Sequence, residues 1–144
     1  MGADLKIVYR EHQIVLGGFT SLVGLLQLLP SSLLTADAGG IIRLFANEGY
    51  EEIWKVEAHR NAVTSVQYRA SKIASGGSDG NISVWDSRNG ELLQELISSV
   101  AVWKVRWVEN SLVALFTEDV NNVRKAIMKV SITVWGRGTR GISE

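Results

Sequence analysis

The chain contains no cysteine, so neither a disulfide nor a cysteine-ligated zinc site is open to it, which fits a reducing compartment. Its single proline argues against a disordered, proline-rich linker. Charge of one sign is not in excess: 15 Lys+Arg face 15 Asp+Glu, and that balance supplies no electrostatic reason to expect nucleic acid or a membrane as partner. Long apolar runs are missing too. The stretch from Ile14 to Leu34 is interrupted by Gly17, Gly18, Thr20, Gln27 and Pro30, so no membrane span is expected. No cationic segment with a cleavage site precedes it, so no secretory signal is expected either. The two histidines, His12 and His59, lack metal-ligand spacing, and neither a metal nor a cofactor is expected. Nuclear or cytoplasmic residence is the corresponding expectation.

What is present is organised around Lys72–Asp86, KIASGGSDGNISVWD. Two β-rich runs flank Asp79-Gly80, a strong short-range hairpin signal. Upstream lie His59 and a third β-rich segment, Ala62–Tyr68; downstream follow a turn at Arg88–Gly90 and a fourth segment, Glu91–Leu96. With Trp85-Asp86 closing its third strand, this unit resembles a blade of the WD-repeat β-propellers.

Self-similarity extends the unit along the chain. A shift of 40 places Gly40 on Gly80, Ile42 on Ile82, Leu44 on Val84, Phe45 on Trp85, Val23 on Val63 and Leu26 on Val66; a shift of 39 carries Val63 to Val102 and Thr64 to Trp103. Gly17-Gly18 reads as a break after an incomplete blade made of Leu5–Tyr9 and Gln13–Leu16. Leu22–Leu29 is long enough for a helix, but Gly24, Pro30 and the repeat alignment favour a strand. In the last unit Ser111–Phe116 reads as a strand, Thr117–Asn122 as a polar turn, and Arg124–Trp135 as one long strand or two short ones. The fold class expected is all-β: a partial WD-repeat propeller of about three four-stranded antiparallel blades plus an N-terminal remnant. Its divisions are residues 1–16 (remnant), 17–57 (blade), 58–97 (blade) and 98–144 (degenerate blade and tail). Closed propellers use about four to eight blades, so three cannot close a ring. The remaining blades or another chain are therefore expected as partners.

His59, Ser75 and Asp79 are the residue types of a hydrolase triad. No nucleophile-elbow motif surrounds Ser75, and with Trp85 the set matches the positions of a hydrogen-bonded tetrad in WD-repeat blades. The structural reading is preferred, and no catalytic residue is assigned. The other units lack the set: Phe19 and Phe45 stand for His and Trp in the first, and Ser98 stands for the His in the third. Gly136–Gly141 spells G-x-G-x-x-G, yet too few residues follow for the helix that a dinucleotide site needs. Asn81-Ile-Ser83 is a glycosylation sequon at the start of an expected buried strand.

Two stretches are more specific. Thr20–Leu26 with Ala36–Arg43, and Ala101–Val105 with Ser111–Leu115, resemble the last blades of the fungal cell-division-control type of F-box/WD-repeat receptors, which serve cullin–RING ubiquitin ligases. The resemblance covers residues 13 to 130. It implies a non-enzymatic propeller that captures phosphorylated degrons, with arginines near the start of the inner strand in several blades. The matching positions here are Gly24, Thr64 and Trp103, and none is arginine. Only Trp103 transfers, as a wall of the apolar pocket beside the phosphorylated residue; packing in a core is its alternative role. The expected function is a protein- or phosphopeptide-binding module of a ubiquitin-ligase receptor. The alternative is a general WD-repeat scaffold without a ubiquitin role, with a hydrolase built on Ser75 and His59 as a remote third.

Overall fold

A computed structural model describes residues 3–9, 12–109 and 111–133, all of whose regular structure is strand. A hairpin, β1 (Ala3–Tyr9) and β2 (His12–Phe19), comes first. A four-stranded antiparallel sheet follows, from β3 (Val23–Leu28) through β4 (Ser32–Asp37) and β5 (Ile41–Ala46) to β6 (Glu52–Glu57). A second has the same order, β7 (Val63–Arg69), β8 (Lys72–Gly77), β9 (Asn81–Asp86) and β10 (Leu92–Ser98). The last sheet holds β11 (Ala101–Val108), β12 (Ser111–Val120) and β13 (Val123–Thr133).

Each sheet is a blade, and the core lies between blades. Strands sandwiched this way are covered on both faces, which is why β4 is buried at every position and β9 at all but its first. Leu34, Ile42 and Trp54 of the first blade pack on Val66, Ile73 and Trp85 of the second. Ala74, Ile82 and Val84 pack in turn on Val102, Leu112 and Phe116. Leu16 and Phe19 of the hairpin close on Leu33 and Phe45. Polar links reinforce the seams: the Trp54 indole N–H donates to Ser87 O at 2.8 Å, and that of Trp107 to Gln67 O at 3.0 Å.

The crossovers repeat as well. Gly40 O accepts from the His59 amide at 3.0 Å, and Gly80 O from the Ser99 amide at 2.8 Å. Both glycines have φ of +90°, and a Cβ on either would fall within 2 Å of the crossing carbonyl, 1.9 Å from His59 O or 1.8 Å from Ser99 O. The residue standing where His59 stands in the preceding blade is therefore Ser99, not Ser98; one residue is missing between this crossover and β11.

Three local expectations change. β2 runs through Gly17-Gly18 to Phe19 instead of ending at Leu16, because Phe19 is anchored in the core and Gly17 O is held by Arg43. Thr117–Val120 belongs to β12, leaving only Asn121 and Asn122, with φ of 52° and 62°, as the hairpin turn. β13 is one long strand, so the third sheet has three strands among the described residues rather than four. The strand favoured within Leu22–Leu29 is observed over Val23–Leu28. Trp135 and Gly136–Gly141 lie outside the described residues.

Candidate functional site

The crossover before β7, the ends of β8 and β9 and the turn between them bring His59, Ser75, Asp79 and Trp85 into one hydrogen-bonded chain. The Trp85 indole N–H donates to Ser75 Oγ at 2.8 Å. His59 Nε2 lies 2.8 Å from the same oxygen, and His59 Nδ1 lies 3.0 Å from Asp79 Oδ1. A carboxylate only accepts, so Nδ1 carries the ring proton, and Nε2 accepts from the Ser75 hydroxyl. Every donor thus points along the chain toward Asp79. Burial lowers the His59 pKa below its ordinary 6.5 despite the carboxylate beside it, so the ring is neutral. Burial pushes Asp79 upward, but the backbone amides of Asn81 and Arg60, together with the His59 ring, outweigh it and hold the carboxyl below its ordinary 3.8. Ser75 is fully buried and its oxygen already accepts from Trp85, while His59 and Asp79 border a surface recess whose lining does not include Ser75. Ser83, in the sequon, is also buried.

The first blade solves the same position differently. Phe19 and Phe45 stand with ring centroids 6.2 Å apart, and the Arg43 guanidinium carbon lies 4.2 Å and 4.7 Å from the two centroids. Arg43 Nε donates to Glu52 Oε1 at 2.7 Å and Nη1 to Gly17 O at 3.1 Å. A buried cation thereby ties the β1–β2 hairpin to the blade. No motif announced it: the position aligns with Ser83, and only the paired loss of His and Trp to Phe19 and Phe45 hinted at a substitute.

Gly24, Thr64 and Trp103 occupy one structural position. Strand register slips between Val23 and Leu25, between Val63 and Ser65, and between Val102 and Lys104, leaving one of the three as the extra residue of an inner-strand β-bulge each time. Bulges re-aim side chains, and the three outcomes differ. A Cβ on Gly24 would meet nothing within 4 Å. Thr64 Oγ1 lies 3.0 Å from Gly76 O and 2.7 Å from Val102 O, so its one proton is spent on backbone that joins two blades. Trp103 is 57% exposed, its ring pinned by an Nε1–H donated to Thr117 Oγ1 at 2.6 Å. Beside these bulges, β3, β7 and β11 line a groove of about 260 Å³, walled by Leu25, Leu26, Gln27, Thr64, Gln67 and Lys104. No cluster of His, Cys, Asp or Glu among the described residues could hold a metal.

Repeating antiparallel sheets with crossovers set 40 residues apart and a Trp–Ser–His–Asp chain inside one of them define the class: this is a run of WD-repeat β-propeller blades. Solved structures agree on the fold. The WD40 β-propeller domain of Doa1 superposes with a TM-score of 0.70 at 20% identity, over 88% of this chain and 43% of that one. The computationally designed Ika4 protein gives 0.64 at 23% identity, over 76% of this chain and 68% of its own.

Within that class the sequence is similar to F-box/WD-repeat proteins. It is 31% identical over 99 residues to the human F-box/WD repeat-containing protein 8, covering 69% of this chain and 16% of that protein. Against cell division control protein 4 of Saccharomyces cerevisiae it is 29% identical over 106 residues, 72% of this chain and 14% of the relative. The Caenorhabditis elegans F-box/WD repeat-containing protein sel-10 is 28% identical over 90 residues, 62% of this chain and 15% of its own length. The chain thus spans about a sixth of the length of these relatives. No protein-family model matches it.

Proposed function

We propose that this chain is a non-catalytic protein-interaction module, part of the substrate-binding propeller of a ubiquitin-ligase receptor of the nucleus or cytoplasm. One observation carries the reading: the three positions at which the family resemblance places peptide-facing side chains are the three equivalent inner-strand bulges, and Trp103 presents an exposed, hydrogen-bonded ring there. A large ring held in one orientation gives a ligand contact area at little entropic cost. Phosphate recognition generally relies on bidentate guanidinium groups, and these bulges supply none. This segment therefore contributes the apolar wall, with phosphate read by other blades.

Titration calorimetry with a phosphothreonine-proline peptide tests the reading. The 144-residue chain should bind weakly or not at all. A complete propeller containing it should bind, and Trp103→Ala should then cost about 1–3 kcal/mol. Tight binding by the short chain, or an indifferent Trp103→Ala in the complete propeller, removes the reason for placing the ligand here. The missing arginines favour a second reading, a scaffold without a ubiquitin role; an F-box in the same reading frame separates the two. Fluorophosphonate labelling of Ser75 would revive the hydrolase.

A further inference from the structure

The chain has no net charge, yet its charges are sorted by strand. The three inner strands β3, β7 and β11 (VGLLQL, VTSVQYR and AVWKVRWV) contain Arg69, Lys104 and Arg106 and no acidic residue. The outer strands β6 and β10 (EIWKVE and LLQELIS) contain Glu52, Glu57 and Glu95 against Lys55 alone. The inner strands thus carry only cations and the outer strands of the two four-stranded blades are net anionic, whereas β13, outermost in the last sheet, carries Arg124, Lys125 and Lys129 and no acid.

Lys104 is where this polarity meets a built recess. It follows the Trp103 bulge, is exposed, and has no hydrogen-bond or ion-pair partner among the described residues. It borders the 260 Å³ groove opposite Leu25 and Leu26, with Gln27, Gln67 and Thr64 on the remaining walls. Arg106, two residues further on the same strand face, extends the positive surface. An unpaired ammonium, two amide side chains and an apolar wall form a receptor for an anionic group carried on a short aliphatic stem.

We infer that this groove holds the carboxylate of an acidic side chain in an extended peptide, with Lys104 as its charge partner. The inference rests on the protein-binding reading above and gives this segment its own share of specificity. Lysine is a monodentate point charge that pairs with either anion, and the groove lining lacks the bidentate guanidinium that phosphate readers add, so the single charge of a carboxylate is the one it matches. A nucleic acid fits less well: three cations are few against one phosphate every 3.4 Å of strand, and the recess takes one side chain at a time.

The test is a titration of the full chain with a fluorescein-labelled decapeptide carrying a leucine beside two glutamates, its glutamine counterpart and its phosphoserine counterpart. All are read by anisotropy in the assembly state that gel filtration gives. The glutamate peptide should bind about 1.5- to fivefold tighter than the glutamine one, the range for an exposed ion pair, and salt should shrink the gap. Lys104→Gln should erase the preference, Lys104→Arg keep it, and Lys104→Glu transfer it to a lysine-bearing peptide. Lys55→Gln, on an outer strand, should leave it unchanged. A preference that survives Lys104→Gln overturns the proposal. So does a Lys104-dependent gain for phosphoserine larger than that for glutamate, and so does displacement of the peptide by a single-stranded oligonucleotide at equal concentration. In a complete propeller, a silent Lys104→Gln beside a damaging Trp103→Ala overturns this inference alone; if both are silent, the protein-binding reading at this face falls with it.

Discussion

The Ser75 hydroxyl oxygen lies 2.8 Å from His59 Nε2, so a loop residue outside the sheet and a central-strand residue share one hydrogen bond in the fully closed interior of a blade. The bond has the geometry of a nucleophile and its base without the access, because the Trp85 N–H caps the same oxygen. What it accomplishes is to pin the crossover. Asp79→Ala should therefore act on stability. It strips acceptors from the His59 Nδ1–H and from the backbone amides of Arg60 and Asn81. The buried His59 donor left unpaired costs about 1–3 kcal/mol, whereas the exposed Arg60 amide can turn to water. Coincident denaturant midpoints for mutant and parent would show that the chain does not hold the blade.

The same groups set a pH dependence. His59 titrates below its unfolded value of 6.5, so as pH falls through 6.5 the unfolded state takes up a proton that the folded state refuses, and stability declines. Asp79, also lowered, adds a second loss below 3.8. Both contributions are complete above pH 6.5 and neither strengthens in acid. Thermal melts should be level above pH 7 and fall as pH drops below 6.5, and His59→Gln should remove the upper part of that fall. A melting temperature that rises on acidification between pH 7 and 5 contradicts the assignment of a neutral buried ring.

Arg43 should hold the first hairpin in place. Arg43→Ala gives up two cation–π contacts and leaves Gly17 O without its donor, a loss of about 2–3 kcal/mol. Arg43→Met restores bulk without charge and should lose less, since the ion pair with the exposed Glu52 adds little and the buried guanidinium's desolvation is repaid only in part. Amide exchange should quicken first in β1 and β2. Uniform protection across the hairpin in Arg43→Ala would show that Leu16 and Phe19 suffice to anchor it.

The parts legible in the sequence were those encoded locally or periodically. Asp79-Gly80, Trp85 and the recurrence at 40 residues mark turns and strands that short segments specify by themselves, and the positions of Gly40 and Gly80 follow from backbone contact. Features created by pairing between distant segments were not legible. A bulge exists only once β3 is set against β4, so the kinship of Gly24, Thr64 and Trp103 emerged as an alignment without its geometry. The clasp of Arg43 depends on Phe19 and Gly17, in a hairpin that composition alone would have ended at the glycines. The Ser98/Ser99 ambiguity arose because a missing residue near Val100 leaves the strand pattern in step one residue early.

Assembly state follows from what the blades leave open. Val108 and Met128 of the last sheet are 51% and 66% exposed, and Val8 and Val15 of the hairpin are each 60% exposed. Apolar faces of this kind drive association. The purified chain should be oligomeric or aggregated in light scattering. A monodisperse monomer with a cooperative melt would show that three blades and a hairpin suffice for an independent fold.

Gly24 offers the sharpest test of where a ligand sits. The other two bulge positions are occupied: Thr64 spends its hydroxyl on Gly76 O or Val102 O, and the Trp103 ring is bonded to Thr117. At Gly24 the backbone is not left-handed and a Cβ meets nothing within 4 Å, so a side chain there requires neither strain nor repacking. Gly24→Arg should fold with a midpoint close to that of the parent. Thr64→Arg, which cuts the link between two blades, should lose about 1–3 kcal/mol. If the bulges face a phosphopeptide, the new guanidinium supplies the bidentate donor that all three positions lack. A charge-assisted hydrogen bond contributes about 1.5–3 kcal/mol, so affinity for the phosphothreonine peptide should rise at least about tenfold, while the unphosphorylated peptide gains little. A well-folded Gly24→Arg with unchanged affinity for both peptides would mean that this end of the inner strands is turned away from the ligand.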